Sequence, residues 1–408
     1  MATLGEKIRT LRKEKKLTQS ELAGTELTKS MLSQIENGKA TPSMKTLHYL
    51  ADKLGCDASF LLLEEEEEAA NEHATLVQEM EQHIQDMRFK DVYEILHPIV
   101  HDALPSTLDA ARLYKQYARV ALHMKDYHVH AYIEKATLIF EKYALYREST
   151  ETKLILFRLL FLNKKYNECL QLINSIRDEY KEKHLEMDLI MQIELFLDEA
   201  IILLAIGDYE GCKNIILQAL AFSKKNQVYY RTDEFYRILS YQATFANDME
   251  GYLHYLKKAE QFAIFTENAI STTLLHILKA YFYNMLTRQY EVALTHIEAY
   301  GEQSIKILGP EKDGYYYLEK GKALYGLERY HEALESLKQV TISDYTHHPI
   351  DKALLTTAGS FRALCYMHLQ DKEQALYEAK QAHSAIQEYH APMFSSFTEE
   401  TLQMIQKL

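Results

Sequence analysis

Cysteine, proline and glycine are all sparse in this chain of 408 residues, and each shortage removes a class of protein. The four cysteines, Cys56, Cys169, Cys212 and Cys365, lie far apart with no CxxC spacing. That excludes a disulfide framework and a cysteine zinc site, and leaves small buried hydrophobes as the expectation. Thirteen glycines and six prolines are too few for a turn-rich β architecture. No apolar run reaches the ~18 residues of a membrane span. Residues 1–7 have no apolar signal core, so a cytoplasmic protein without membrane contact is expected. Also missing are a Gly-rich phosphate loop, an HExxH pair and a nucleophile motif, so the chain reads as no enzyme, with no catalytic residue, no cofactor and no metal. His97 and His101 have the spacing of a helical metal pair, but no third ligand accompanies them and Pro98 stands between. They read as structural, as do His128/His130 and His347/His348 beside loops.

What the chain does have is length, helix formers and an uneven charge. At 47% hydrophobic residues it suits a soluble all-α protein, as a small domain plus a long array. Residues 1–63 hold ten Lys/Arg against seven Asp/Glu, a net of +3, whereas residues 64–408 hold 36 against 52, a net of −16. Only the basic head is suited to phosphate, and the acidic body must do another job.

The head reads as five short helices. Leu4, Ile8 and Leu11 give the first its apolar stripe, and Thr18 with Glu21 makes a capping box for the second. Thr28 caps the third, which stops at Asn37-Gly38. Pro42-Ser43 starts a fourth that runs through Leu47, Leu50, Ala51 and Leu54, and residues 60–63 close the core. Five carboxylates at positions 64–68 then open an acidic linker, residues 64–70.

Residues 71–390 repeat. An aromatic with a small or medium residue three places on recurs as Phe89/Val92, Tyr166/Cys169, Tyr209/Cys212, Tyr290/Ala293 and Tyr330/Ala333, while Tyr127, Met249 and Lys372 fill the same slot less faithfully. The spacings are 38, 39, 43, 40, 41, 40 and 42 residues, which gives about eight units. Each has two apolar-periodic helices around a short polar turn. Such an α-hairpin cannot bury its inner face alone, so a stacked right-handed superhelix with a concave groove is expected. Pro105, Pro310 and Pro349 fall between units. Pro98 is expected to kink the second helix of the first unit, and residues 391–408, with Leu402, Ile405 and Leu408, to form a capping helix.

The motifs Leu17-Thr18-Gln19, Glu21-Leu22-Ala23, Leu32-Ser33-Gln34-Ile35-Glu36-Asn37-Gly38 and Pro42-Ser43 fall in register with the Cro/phage-repressor (XRE) class of helix-turn-helix, which residues 4–63 resemble almost end to end. The resemblance implies that Gln19 holds a phosphate and that Lys29, Ser30 and Gln34 face base edges. Asn37 and Lys39 would hold phosphate beyond, with Thr28 and Ser33 on the same surface. Lys can donate to guanine O6/N7 and Gln can pair with adenine. Glu26, in the turn, departs from the pattern by placing a carboxylate near DNA. One head covers a half-site, so a homodimer or higher homo-oligomer on a palindromic operator is expected, with the array supplying the contact.

The turn aromatic followed by a small residue resembles the tetratricopeptide repeat, best in Gly321, Ala323, Tyr330 and Ala333, although these units exceed its 34 residues. In that register Arg112, Lys115, Gln116, Arg119, Arg158, Arg237, Tyr241, Lys279, Glu319 and Lys322 face inward, and the basic ones among them suit a peptide's carboxylate and carbonyls. Head plus array resemble the RRNPP family of Gram-positive peptide-pheromone receptors, in size and repeat number its NprR-type members. This implies a quorum-sensing transcription regulator controlled by a short signalling peptide in the groove, some members also binding a response-regulator protein. The competing readings are a protein-interaction adaptor for a phosphorelay component and a phage-type repressor with no peptide.

Overall fold

A computed structural model describes residues 4–56, 58, 61, 65–102, 104–308, 313–343, 346–389 and 391–407. Among these there are helices and turns and no strand. The chain divides into two compact units, residues 1–159 and 160–408.

In the first unit, α1 (Leu4–Glu14), α2 (Gln19–Ala23), α3 (Lys29–Glu36) and α4 (Met44–Leu54) form the head. Side-chain caps set their starts. Thr18 and Glu21 make a reciprocal capping box on α2, while Thr28 and Ser43 accept the amides of Met31 and Thr46 to start α3 and α4. Ile8, Leu22, Leu32, Ile35, Leu47, Leu50 and Leu54 fill one core. The fifth helix expected near position 60 lies largely outside the described residues. A Cβ at Gly5 would stand 2.2 Å from the Ile35 carbonyl oxygen, so α1 lies directly on the last turn of α3.

The array follows. α5 (Glu65–Gln85) begins inside the acidic run, so what the sequence reads as a linker is helical from Glu65. α6 (Phe89–His101), α7 (Leu108–His123), α8 (His130–Lys142) and α9 (Tyr146–Leu162) complete the first unit, with a core around Val92, Leu96, Tyr114, Tyr117, Ile133 and Phe140. Pro98 sits inside α6 and the helix runs on through it for three residues.

The second unit continues with α10 (Tyr166–Glu182), α11 (Leu189–Ala205), α12 (Tyr209–Asn226), α13 (Thr232–Phe245), α14 (Met249–Phe265) and α15 (Ala269–Phe282), which ends in a π-turn at Tyr283–Thr287. α16 (Tyr290–Leu308), α17 (Gly314–Gly326), α18 (Tyr330–Leu337), α19 (Pro349–His368), α20 (Lys372–Ile386) and α21 (Pro392–Gln406) complete it. α21 packs on α19 and α20. Pro349 and Pro392 occupy the first turns of α19 and α21, where a missing amide costs nothing, and Pro310 lies outside the described residues.

The repeat is visible in its turns. Phe89, Tyr166, Tyr209, Met249, Tyr290, Tyr330 and Lys372 are each the first residue of a hairpin's second helix, and Tyr127 stands just ahead of α8. Two residues before every one of these eight landmarks the backbone is left-handed, at Met87, Lys125, Lys164, Gly207, Asn247, Arg288, Glu328 and Gln370, with φ between 52° and 82°. In seven turns the next amide donates five residues back, as Asp208 does to Leu203 and Arg329 to Leu324, closing the first helix with a Schellman motif. The eighth, at the π-turn, reaches six back, from Gln289 to Tyr283. Asp208, Asp248 and Asp371 then cap the second helix.

Candidate nucleic-acid interface and inner face of the array

The helix-turn-helix is tied together by a buried carboxylate. Glu36, 2% exposed at the end of α3, accepts from Arg12 Nε at 2.6 Å and Nη2 at 3.0 Å, and from Gln19 Nε2 at 2.9 Å. Arg12 Nη1 also donates to the Leu17 carbonyl at 2.8 Å. Burial alone would raise the Glu36 carboxyl, but Arg12 and Gln19 hold it below the usual carboxylate range. One side chain thus joins α1, the start of α2 and the end of α3, fixing the angle at which α3 is presented. The sequence reading gave Gln19 a phosphate, whereas the structure engages its amide with Glu36. The second amide hydrogen is spare for an anion.

Along α3, Leu32, Ile35 and Glu36 face inward, while Lys29, Ser30, Met31 and Gln34 are exposed. Lys29, Ser30 and Gln34 make no side-chain hydrogen bond or ion pair among the described residues. Thr28 is occupied as the cap of α3, and Asn37 Nδ2 donates to the Ser33 carbonyl at 2.7 Å. Gly38, at φ 66°, turns the chain so that Lys39 stands exposed beyond the helix. Glu26 pairs with Lys45 at 3.4 Å, an exposed contact of small energy.

The positions expected on the inner face divide by unit. In the first, Arg112 pairs with Asp109 at 2.8 Å and Lys115 with Glu151 at 2.7 Å. Gln116 is buried and donates to the Val77 carbonyl. Arg119 on α7 and Arg158 on α9 are exposed and unpaired among the described residues, and both charges depress His123, which burial already lowers.

In the second unit the inward positions are largely core. His348, at the cap of α19, meets the Ile201 carbonyl of α11 through Nε2 at 3.2 Å, and the rings of Phe245 and Phe394 meet at 6.3 Å, so hairpins far apart in sequence close on one another. Lys322 and Glu319, 3% and 2% exposed, form a buried ion pair at 2.7 Å, with Asn284 Nδ2 on Glu319 and the Tyr281 and Phe361 rings beside the ammonium. Burial lowers Lys322 from its ordinary value and Glu319 opposes this. The expectation of Lys322 on an open groove therefore meets a lysine held in the core. Tyr241 is packed between Phe245 and Tyr281, with burial raising its phenol. Arg237 contacts Glu234 at 3.4 Å, and Lys279 pairs with Glu260 at the edge of a hollow of about 80 Å³ lined also by Ala263, Ile264, Leu275 and His276.

The sequence did not single out Arg12, Glu36 as its partner, or His276 and His296, whose Nδ1 atoms lie 3.2 Å apart between α15 and α16. His97 and His101 stack on each other with centroids 4.3 Å apart. Among the described residues no group of three or more metal-ligating side chains is found, and no helix is long and apolar enough to cross a membrane.

Comparison with known proteins places the head. Residues 8–61 match the helix-turn-helix family model. The immunity repressor protein of Bacillus phage phi105 is 33% identical over 117 residues, covering 26% of this chain and 81% of the repressor. Among solved structures, Bacillus thuringiensis PlcR in complex with the peptide PapR7 and DNA is 18% identical, covers 67% of this chain and 99% of its own, and superposes with a TM-score of 0.37. NprR in complex with its cognate peptide NprX is 14% identical, covers 72% and 81%, and gives a TM-score of 0.48. The chain belongs to the helix-turn-helix family of DNA-binding regulators that includes the phi105 immunity repressor.

Proposed function

We propose that the chain is a sequence-specific transcription regulator that reads a palindromic operator as a homo-oligomer and is controlled by a short signalling peptide received by its array. The observation that carries the DNA reading is the exposed face of α3. Lys29, Ser30 and Gln34 keep their hydrogen-bonding groups unengaged on a helix whose orientation is fixed by the Arg12–Glu36–Gln19 network. On the peptide side, Arg119 and Arg158 are, of the cations expected on the inner face, the two with no carboxylate partner among the described residues, and both lie close enough to His123 to bias it electrostatically. Two arginines with free forks suit a peptide's terminal carboxylate. The resemblance of head plus array to the RRNPP family supports the same reading.

Fluorescence anisotropy of labelled DNA from the gene's upstream region, with and without a peptide fraction from spent medium, tests this. A salt-sensitive, sequence-selective complex whose affinity changes with the fraction, and stops changing in Arg119→Ala/Arg158→Ala, is expected. Selective binding indifferent to the fraction would reduce the protein to a peptide-independent repressor. No selective binding would leave the adaptor reading.

A further inference from the structure

We propose that Met31 reads a thymine 5-methyl group in the major groove and is a specificity-determining residue of this head. The inference rests on the DNA-reading function proposed above and adds the chemical identity of one contacted base.

Position carries the argument. At 100° per residue, Met31 lies about 60° around α3 from Gln34 and about 100° from Ser30. It therefore borders the polar reading strip on the side away from Lys29. The buried flank of the helix is taken by Leu32, Ile35 and Glu36, so Met31 is not needed to complete the core, and it is 44% exposed. Its own amide is held by Thr28 Oγ1 at 3.1 Å, which fixes the first turn from which the side chain projects. Among the described residues of α3 it is the only exposed apolar side chain.

The major groove offers one apolar feature among its donors and acceptors, the C5-methyl of thymine. Cytosine in an unmodified duplex lacks it, and purines present N7 and polar exocyclic groups instead. A thioether chain with three rotatable bonds can reach and cover such a methyl without the fixed geometry that a hydrogen bond demands. Gln34, one turn on, is suited to adenine N6/N7. The pair would therefore favour a T/A-containing step, with Met31 on the methyl and Gln34 on a neighbouring adenine edge.

The test uses the full-length protein. A duplex is first selected from a random-sequence pool, and each thymine is then replaced singly by deoxyuridine, which lacks only the 5-methyl. Affinities are measured for the native chain and for Met31→Ala. One thymine per half-site is expected at which uracil weakens native binding about three- to tenfold. Met31→Ala should weaken binding to the thymine duplex by a similar factor and bind the uracil duplex equally well. 5-Methylcytosine in place of cytosine at that position should recover part of the native protein's affinity. Circular dichroism melts and the salt dependence of non-specific binding should be unchanged in Met31→Ala, showing a folded head. Enrichment without thymine–uracil discrimination, or discrimination that persists in Met31→Ala, overturns the inference while the DNA-reading function stands. That result would also follow if a protein rather than DNA covers Met31. If no duplex is enriched, the DNA-reading function fails and this inference with it.

Discussion

The head and the second unit of the array both carry a buried ion pair, yet they treat their remaining charge in opposite ways. In the head, Arg12 and Glu36 are paired inside, and the residues of α3 that face outward, Lys29, Ser30 and Gln34, are left unengaged. In the second unit the pairing continues over the inner face, with Lys322 on Glu319, Lys279 on Glu260 and Arg237 near Glu234. A surface that must exchange water for a polyanion keeps its donors free, whereas a face folded onto itself must neutralise its charges before they are buried.

The largest expected effects come from breaking the buried pairs. Glu36→Ala leaves Arg12 and Gln19 facing an uncompensated cavity and should cost the head about 3–5 kcal/mol, read as lost amide-exchange protection in α1–α4 with the array unchanged. If protection in the head persists, the network is ornamental. Lys322→Met should destabilise the second unit by a comparable amount because Glu319 stays buried. The double variant Lys322→Met/Glu319→Leu should recover most of that loss, since apolar replacements of both partners remove the desolvation cost. A double variant as unstable as the single would mean that Asn284, which donates to Glu319, matters more than the lysine.

Next in size are effects on DNA alone. Lys29→Ala and Gln34→Ala should each weaken the specific complex by about 1–3 kcal/mol and leave the melting temperature unchanged, because neither side chain has a structural partner among the described residues. Loss of stability in either would show that α3 is held by its outer face as well as its inner one.

Acid should separate the two regions. His296 is pushed down to about 4 by burial and by the charges of Lys279 and His276, with Glu260 opposing; Gln303 bonds the far side of His276 and Tyr283 stacks on His296. The folded pair is neutral, and the unfolded chain takes up protons below about 6.5. Stability of the second unit therefore falls as pH drops from about 6.5 toward 4. Glu36 follows the same sign in a lower window: its carboxyl is held below its unfolded value, so its contribution is present above about 4.5 and lost only below that. Thermal melts between pH 7.5 and 5 should show the array softening before the head, and His296→Gln should blunt the shift. Head and array softening together would remove the histidine pair as the cause.

How much of this could be read in advance differs by the range of the interaction. The caps at Thr18, Thr28 and Ser43 and the starts of the second helices at Phe89, Tyr166, Tyr209, Tyr290 and Tyr330 were legible, because each is decided within four residues of chain. That Tyr241 and Lys322 are packed in the core was not legible. Whether an inner face lines a groove or a core depends on where α11 and α13 stand against α19 and α21, and the contact from His348 to Ile201 spans 147 residues. No local period encodes that. Arg12 escaped for the same reason, since only the crossing of α1 over α3 brings it to Glu36.

The left-handed turns escaped for another reason and give the smallest prediction. Scarce glycine argued against a turn-rich β architecture, and it concealed the fact that seven of the eight hairpin turns put a residue with a side chain where glycine is cheapest. Glu328, at φ 59°, is exposed and its carboxylate has no partner among the described residues, so Glu328→Gly removes the steric cost of the left-handed backbone without removing a contact. The gain is partly offset by the greater freedom of glycine in the unfolded chain, leaving a net stabilisation on the order of 0.5 kcal/mol. Gly207 already has the favourable residue, so Gly207→Ala should destabilise by more than Glu328→Gly stabilises. If Glu328→Gly instead destabilises, the turn is held by helix propensity around it rather than by its Schellman bond from Arg329 to Leu324, and the repeat's regularity would belong to its helices alone.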